Sequence, residues 1–134
     1  MEVSSHSERH SAKFTKSSRL LKRAEFERVY QNGRRHFSRN LTVFFLKRAG
    51  ENQARGPRVG FTVSRALGGA VERNRIRRRM REAARLNLQT LPLSVDIVIN
   101  PKKSALHTKF VALSEEVRRA FETVLRTSSN GWKE

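Results

Sequence analysis

The run from residue 58 to residue 99 constrains the fold more than any other part of the chain. Arg58 to Ser64 alternates, with Val59, Phe61 and Val63 on one side and Gly60, Thr62 and Ser64 on the other. That period of two predicts a strand. Ala66-Leu67-Gly68-Gly69 breaks it. A helical pattern follows, roughly Val71 to Leu88, with one apolar stripe of Ile76, Met80, Ala83 and Ala84. Asn74, Arg78, Arg81 and Arg85 lie opposite that stripe, and Arg75 and Arg77 flank it. Leu91-Pro92 closes the segment. The β-branched run Val95 to Ile99 predicts another strand, which Pro101 ends. A strand, a long helix and a second strand in one sheet form a βαβ unit. A helix with so narrow a stripe covers a sheet on one side only and leaves its arginines in solvent.

The flanking sequence completes the pattern. Residues 1–17 have little apolar content and are expected to form a mobile tail. Leu21, Phe26, Val29 and Tyr30 recur at helical spacing. Asn32-Gly33 ends that helix, and the glycine is expected in the left-handed C′ conformation. Asn40 to Lys47 reads as a strand, with Leu41, Val43 and Phe45 on one face and Thr42, Phe44 and Leu46 on the other. The loop from Arg48 to Pro57 is short, so this strand is expected to pair antiparallel with Arg58–Ser64. A last helix is expected from Thr108 to Arg126, buried along Phe110, Leu113, Val117, Ala120, Phe121, Val124 and Leu125. The expectation is an α+β fold, a small two-layer α/β sandwich of order α-β-β-α-β-α with room for one further short strand. A single domain would span 18–127, leaving a C-terminal tail at 128–134.

Charge points to the partner. The 134 residues hold 29 Lys or Arg and 12 Asp or Glu, a formal net charge of +17. A body so basic attracts polyanions, nucleic acid first and an anionic membrane second. No apolar run nears the roughly 20 residues that cross a bilayer, so no membrane partner is expected. With no cysteine, disulfide scaffolds and zinc ribbons are excluded, and the cytoplasm is the expected compartment.

Enzyme chemistry finds little footing in the sequence. Asp96 is the one aspartate, and it falls inside a predicted strand. His6, His10, His36 and His107 stand apart from one another, without metal-ligand spacing. Gly68-Gly69 precedes a helix but no Walker or GxGxxG pattern surrounds it. No catalytic residue and no metal ligand is therefore assigned to the chain. By contrast, residues 73–81 place six Arg in nine positions with no acid among them. A solvated helix normally mixes signs at i,i+4, whereas clustered Arg suits bidentate phosphate binding. Phe26, Tyr30 and Phe44 form a groove if the first helix lies over the Thr42/Phe44 face. With the hydroxyls of Thr62 and Ser64 beside them, such aromatics suit a single nucleic-acid strand, whose bases stack on rings. The classes left open are a ribosomal or other structural RNA-binding protein, a DNA-binding regulator and a nuclease. The regulator lacks a helix-turn-helix pair, and a self-contained nuclease lacks a carboxylate cluster.

Residues 58–81 read R-V-G-F-T-V-S-R-A-L-G-G-A-V-E-R-N-R-I-R-R-R-M-R. This resembles the bacterial ribonuclease P protein component, whose hallmark is V-G-(F/L)-x-V-S-K-K-x-G-x-A-V-x-R-N-R-(I/L)-(K/R)-R. The likeness extends to Arg19-Leu20, to Glu25 through Tyr30 and to Asp96-Ile97-Val98, and covers about residues 18–126. It implies the protein subunit of a ribonucleoprotein enzyme whose RNA, with Mg²⁺, removes the 5′ leader of precursor tRNA. It implies a leader cleft at Phe26, Tyr30, Thr42, Phe44, Thr62, Ser64 and Arg65. It implies an RNA-subunit contact at Arg73, Asn74, Arg75, Arg77, Arg78 and Arg81, one protein per RNA, and a left-handed βαβ crossover. Three residues depart from the family's usual sequence. Arg65-Ala66 replaces Lys-Lys, removing one basic contact beside the cleft, and Gly69 replaces Asn.

Overall fold

The computed structural model describes residue 19 and residues 22–48, 56–91 and 94–129. The expected N-terminal tail, Leu20, Leu21 and Pro92 lie outside the described residues, as do residues 130–134 of the C-terminal tail. The elements are α1 (Arg23–Asn32), β1 (Arg34–Phe37), β2 (Leu41–Lys47), β3 (Arg58–Phe61), α2 (Ala70–Asn87), β4 (Val95–Pro101) and α3 (Phe110–Ser129). The strands form one sheet of order β1-β2-β4-β3. β1 pairs antiparallel with β2, β2 antiparallel with β4, and β3 parallel with β4. β3, α2 and β4 are therefore the βαβ unit expected from the sequence.

Two local expectations are corrected. β2 and β3 are not partners, because β4 lies between them. Val95 through Ile99 is buried at every residue, so β4 has no face for solvent and takes an interior position. The further strand is β1, whose Arg-Arg-His-Phe sequence carries no apolar alternation. Gly33 is extended, with φ −87° and ψ 179°, rather than left-handed. It is needed for space instead, since a Cβ there would lie 2.6 Å from the carbonyl oxygens of both Phe45 and Val29. Positive φ is found instead at Gly56, at 78°, and at Gly68, at 138°, the latter where the chain turns from β3 into α2.

The two faces of the sheet are covered unequally. On one, α2 and α3 bury a continuous core that includes Leu41, Val43, Phe45, Ile76, Met80, Ile97, Ile99, Leu113 and Phe121. Each such large side chain contributes about 1.5–3 kcal/mol by leaving water. Buried Asn87 donates to Ala83 O and, on α3, to Ser114 O and Oγ. The Arg79 guanidinium donates to Ala105 O at 3.1 Å and to Thr108 O, holding the approach to α3. On the other face α1 buries only Val29 against Leu46 and Val98, with Phe26 and Phe44 at the margin.

A charged staple supplements that small contact. Asp96 Oδ1 accepts from Arg48 Nη1 at 2.6 Å and from Arg58 Nε at 2.9 Å, and its Oδ2 accepts from Arg58 Nη2 at 2.9 Å. Arg58 Nη1 then donates to Glu25 Oε2 on α1 at 3.0 Å. Glu25 also accepts the Lys22 backbone N–H at 3.0 Å, closing the first turn of α1. Bonding to Asp96 is the main reason the Arg58 pKa is raised. The one aspartate of the chain is therefore a structural tie joining β2, β3, β4 and, through Arg58, α1.

Candidate nucleic-acid interface

Parity along the strands fixes what the α1 side of the sheet presents. Phe44 is in register with Arg35 and Val98, Thr42 with Phe37 and Asn100, and Gly60 with Val98. All of these residues share the α1 face. α1 leans over it so that Tyr30 meets Phe44 edge to face, with ring centroids 4.9 Å apart. The Tyr30 hydroxyl lies 2.7 Å from Thr62 Oγ1 and donates to Asn100 Oδ1 at 3.1 Å. Tyr30 remains 37% exposed despite these contacts. Phe26, one turn earlier, packs on the Val29, Leu46 and Val98 cluster. The result is an open groove with aromatic walls and a floor of hydroxyl and amide groups.

The structure thus brings together Phe26, Tyr30, Phe44 and Thr62, and places Thr42 on the same face. Ser64 and Arg65 lie past the end of β3, where Arg65 opens a short 3₁₀ turn. Among the described residues, neither has a hydrogen bond or ring contact to the aromatics. Asn100 is a member of the groove that sequence reasoning missed. Its signal was present in the period of two, which carries Asp96 and Val98 on to Asn100.

α2 presents the second surface. Glu72 Oε1 accepts the Gly69 backbone N–H at 2.9 Å, so the helix start is capped from within the chain. Arg73 turns back, donating from Nε to Gly68 O at 3.2 Å. Arg77 donates to Asn74 Oδ1 at 3.1 Å. Arg75, Arg78 and Arg81 are exposed, and among the described residues they have no hydrogen-bond or ion-pair partner. Arg79 is the exception within the run, because both of its contacts are internal. Burial, with Arg75 next, lowers its pKa from the usual value.

The carboxylates do not converge. Asp96 and Glu25 belong to the staple, and Glu82 pairs with Arg85. Glu115 pairs with Arg118 at 2.7 Å and with Arg119 at 3.2 Å. Those bonds, Arg118 first, hold the Glu115 carboxyl down at about 2. Glu116 accepts from Ser38 Oγ at 2.7 Å and from the Asn40 backbone N–H at 2.9 Å, pinning the β1–β2 turn to α3. Among the described residues, no group of three His, Cys, Asp or Glu is placed to hold a metal ion. No described helix is long and apolar enough to cross a membrane.

Comparison with known proteins identifies what shares this arrangement. The family model described as Ribonuclease P matches residues 14–125. A ribonuclease P protein component of Finegoldia magna is 36% identical over 115 residues, covering 86% of this chain and 94% of that one. One of Citrifermentans bemidjiense is 42% identical over 111 residues, covering 83% and 91%. Among solved structures, the RNase P protein from Thermotoga maritima superposes with a TM-score of 0.68 at 27% identity, over 78% of this chain and 96% of that one. The Staphylococcus aureus RNase P protein gives a TM-score of 0.63 at 27% identity, over 83% and 94%.

Proposed function

The chain belongs to the ribonuclease P protein component family, and we propose that it serves that ribonucleoprotein through two separate surfaces. It is the protein part of an endoribonuclease of tRNA processing, and its partner is the ribonuclease P RNA. In the proposed division of labour, α2 docks on that RNA through Arg75, Arg78 and Arg81. Arg73, Asn74 and Arg77 shape the same surface. Guanidinium groups with no carboxylate partner are free to form bidentate bonds with phosphate.

The groove under α1 takes the 5′ leader of precursor tRNA. The observation that carries this reading is the Tyr30–Phe44 pair, left open to solvent with its hydroxyl anchored by Thr62 and Asn100. A single strand stacks its bases on such rings for about 1–3 kcal/mol each, with little regard to sequence. Mature tRNA has no leader, so the groove favours substrate over product. The carboxylates of the described residues are engaged internally and do not form a donor set for Mg²⁺. We assign that ion and the hydrolysis to the RNA subunit. The protein's own part is to hold the leader and offset phosphate charge.

Reconstitution tests this reading. Protein mixed with its RNA partner at low Mg²⁺ is expected to remove the leader, whereas protein alone leaves precursor tRNA intact. Cleavage by RNA-free protein would overturn the assignment of chemistry to the RNA.

A further inference from the structure

β1 carries a feature that neither surface uses. Phe37 is 66% exposed and belongs to neither apolar cluster of the described residues. The Arg35 guanidinium carbon lies 5.7 Å from the Phe37 ring centroid and 6.0 Å from that of Phe44. One cation therefore spans an exposed ring and a ring of the groove. Register places Arg35 opposite Phe44 and Phe37 opposite Thr42, so both project from the groove side of the sheet. Arg35 is exposed and, among the described residues, has no ion-pair partner. Exposed aromatic rings that alternate with an unpaired guanidinium match the combination that binds single-stranded nucleic acid, base on ring and phosphate on cation.

We propose that the leader groove continues past Phe44 onto β1, where Arg35 and Phe37 hold further nucleotides of the single strand. The occupant is RNA, on two grounds. The strip is continuous with the aromatic groove, and the exposed Arg39 in the turn that follows β1 carries the sign that suits phosphate. The proposal rests on the leader reading above, which the test separates from it. Arg35 serves both as a stacking plane and as a phosphate donor, so lysine is a poor substitute for it.

The experiment uses reconstituted holoenzyme and precursor tRNAs with leaders lengthened one nucleotide at a time. Wild-type affinity should rise until the strip is filled. A chain carrying both Arg35→Ala and Phe37→Ala should bind short-leader substrates normally and reach its plateau at a shorter leader. Its loss with long leaders should be about 5- to 150-fold, the range of a single stacked base. Both side chains are exposed, and an unchanged thermal midpoint would confirm folding. Arg35→Lys should recover only part of the loss. Phe44→Ala in the same assay should weaken all but the shortest leaders. If the double variant matches wild type at every length while Phe44→Ala is weak, the extension is wrong and the leader groove stands. If both match wild type, both readings fail. If the double variant instead changes self-association of the free protein and leaves leader dependence intact, β1 is a contact between copies and the extension is overturned.

Discussion

The two faces of the sheet use apolar surface in opposite ways. Under α2 and α3 a large continuous core is buried, and the polar groups beside it, Asn87 and Arg79, are satisfied by backbone carbonyls. Under α1 three residues are buried, two phenylalanines are left at the margin and a tyrosine stands open. What the α1 face lacks in burial it replaces with the Glu25–Arg58–Asp96–Arg48 staple. Ion pairs hold a helix in place without filling the space beside it. One face therefore stabilises the molecule, and the other keeps aromatic surface available to a ligand.

The sharpest way to break this contrast is to damage each face separately. Phe121→Ala on the packed face should destabilise the protein by about 3–5 kcal/mol, read as a fall in denaturant midpoint. Asp96→Ala removes the carboxylate that Arg48 and Arg58 share and should cost about 3–5 kcal/mol. It should also loosen α1, raising amide exchange there more than in α3. Uniform exchange changes would show that the staple does not position α1. Tyr30→Phe removes one hydroxyl shared by Thr62 and Asn100, and should cost about 1 kcal/mol in precursor binding with little effect on the melt. Arg75→Ala, Arg78→Ala and Arg81→Ala should each lower the slope of log affinity for the RNA subunit against log salt by about 1. Unchanged slopes would remove α2 from the docking surface.

The smallest effect concerns His36. Burial, then Arg126, lowers its pKa below the usual 6.5. The folded state thus prefers the neutral ring, and the associated stability is present above pH 6.5 and lost as pH falls below it. His36→Asn should flatten the decline of stability just below that pH. The ring is partly exposed, so solvent keeps the change small.

Sequence patterning resolved the packed face well. The stripes Ile76, Met80, Ala83, Ala84 and Leu113, Val117, Phe121 are legible because helical period and burial coincide there. The βαβ unit was legible from strand, helix and strand in order. Strand order was not, because adjacency in the chain favours a β2–β3 pair. Only the burial of β4 on both faces decides against that pair. A further short strand was expected, but its place at Arg34–Phe37 was not legible, because an edge strand of Arg-Arg-His-Phe has no apolar period. On the groove face, Phe44 was legible as one aromatic too many for a single core. Asn100 was legible in principle, two residues beyond Val98 on the same strand face, but Arg35 and Phe37 were not, because cross-strand register brings them to the groove and no local pattern encodes register. Asp96 looked like an isolated acid, and its partners lie 48 and 38 residues away.

The most direct test of the account is the ratio of affinities for precursor and mature tRNA, measured on reconstituted holoenzyme with wild-type protein and with Phe44→Ala. The account predicts that Phe44→Ala weakens precursor binding by about 5- to 150-fold, the range of one lost stacking contact. It predicts unchanged binding of mature tRNA and an intact fold by thermal melt. Equal losses for both tRNAs would contradict it, because Phe44 would then be part of the core and the open face would hold no leader.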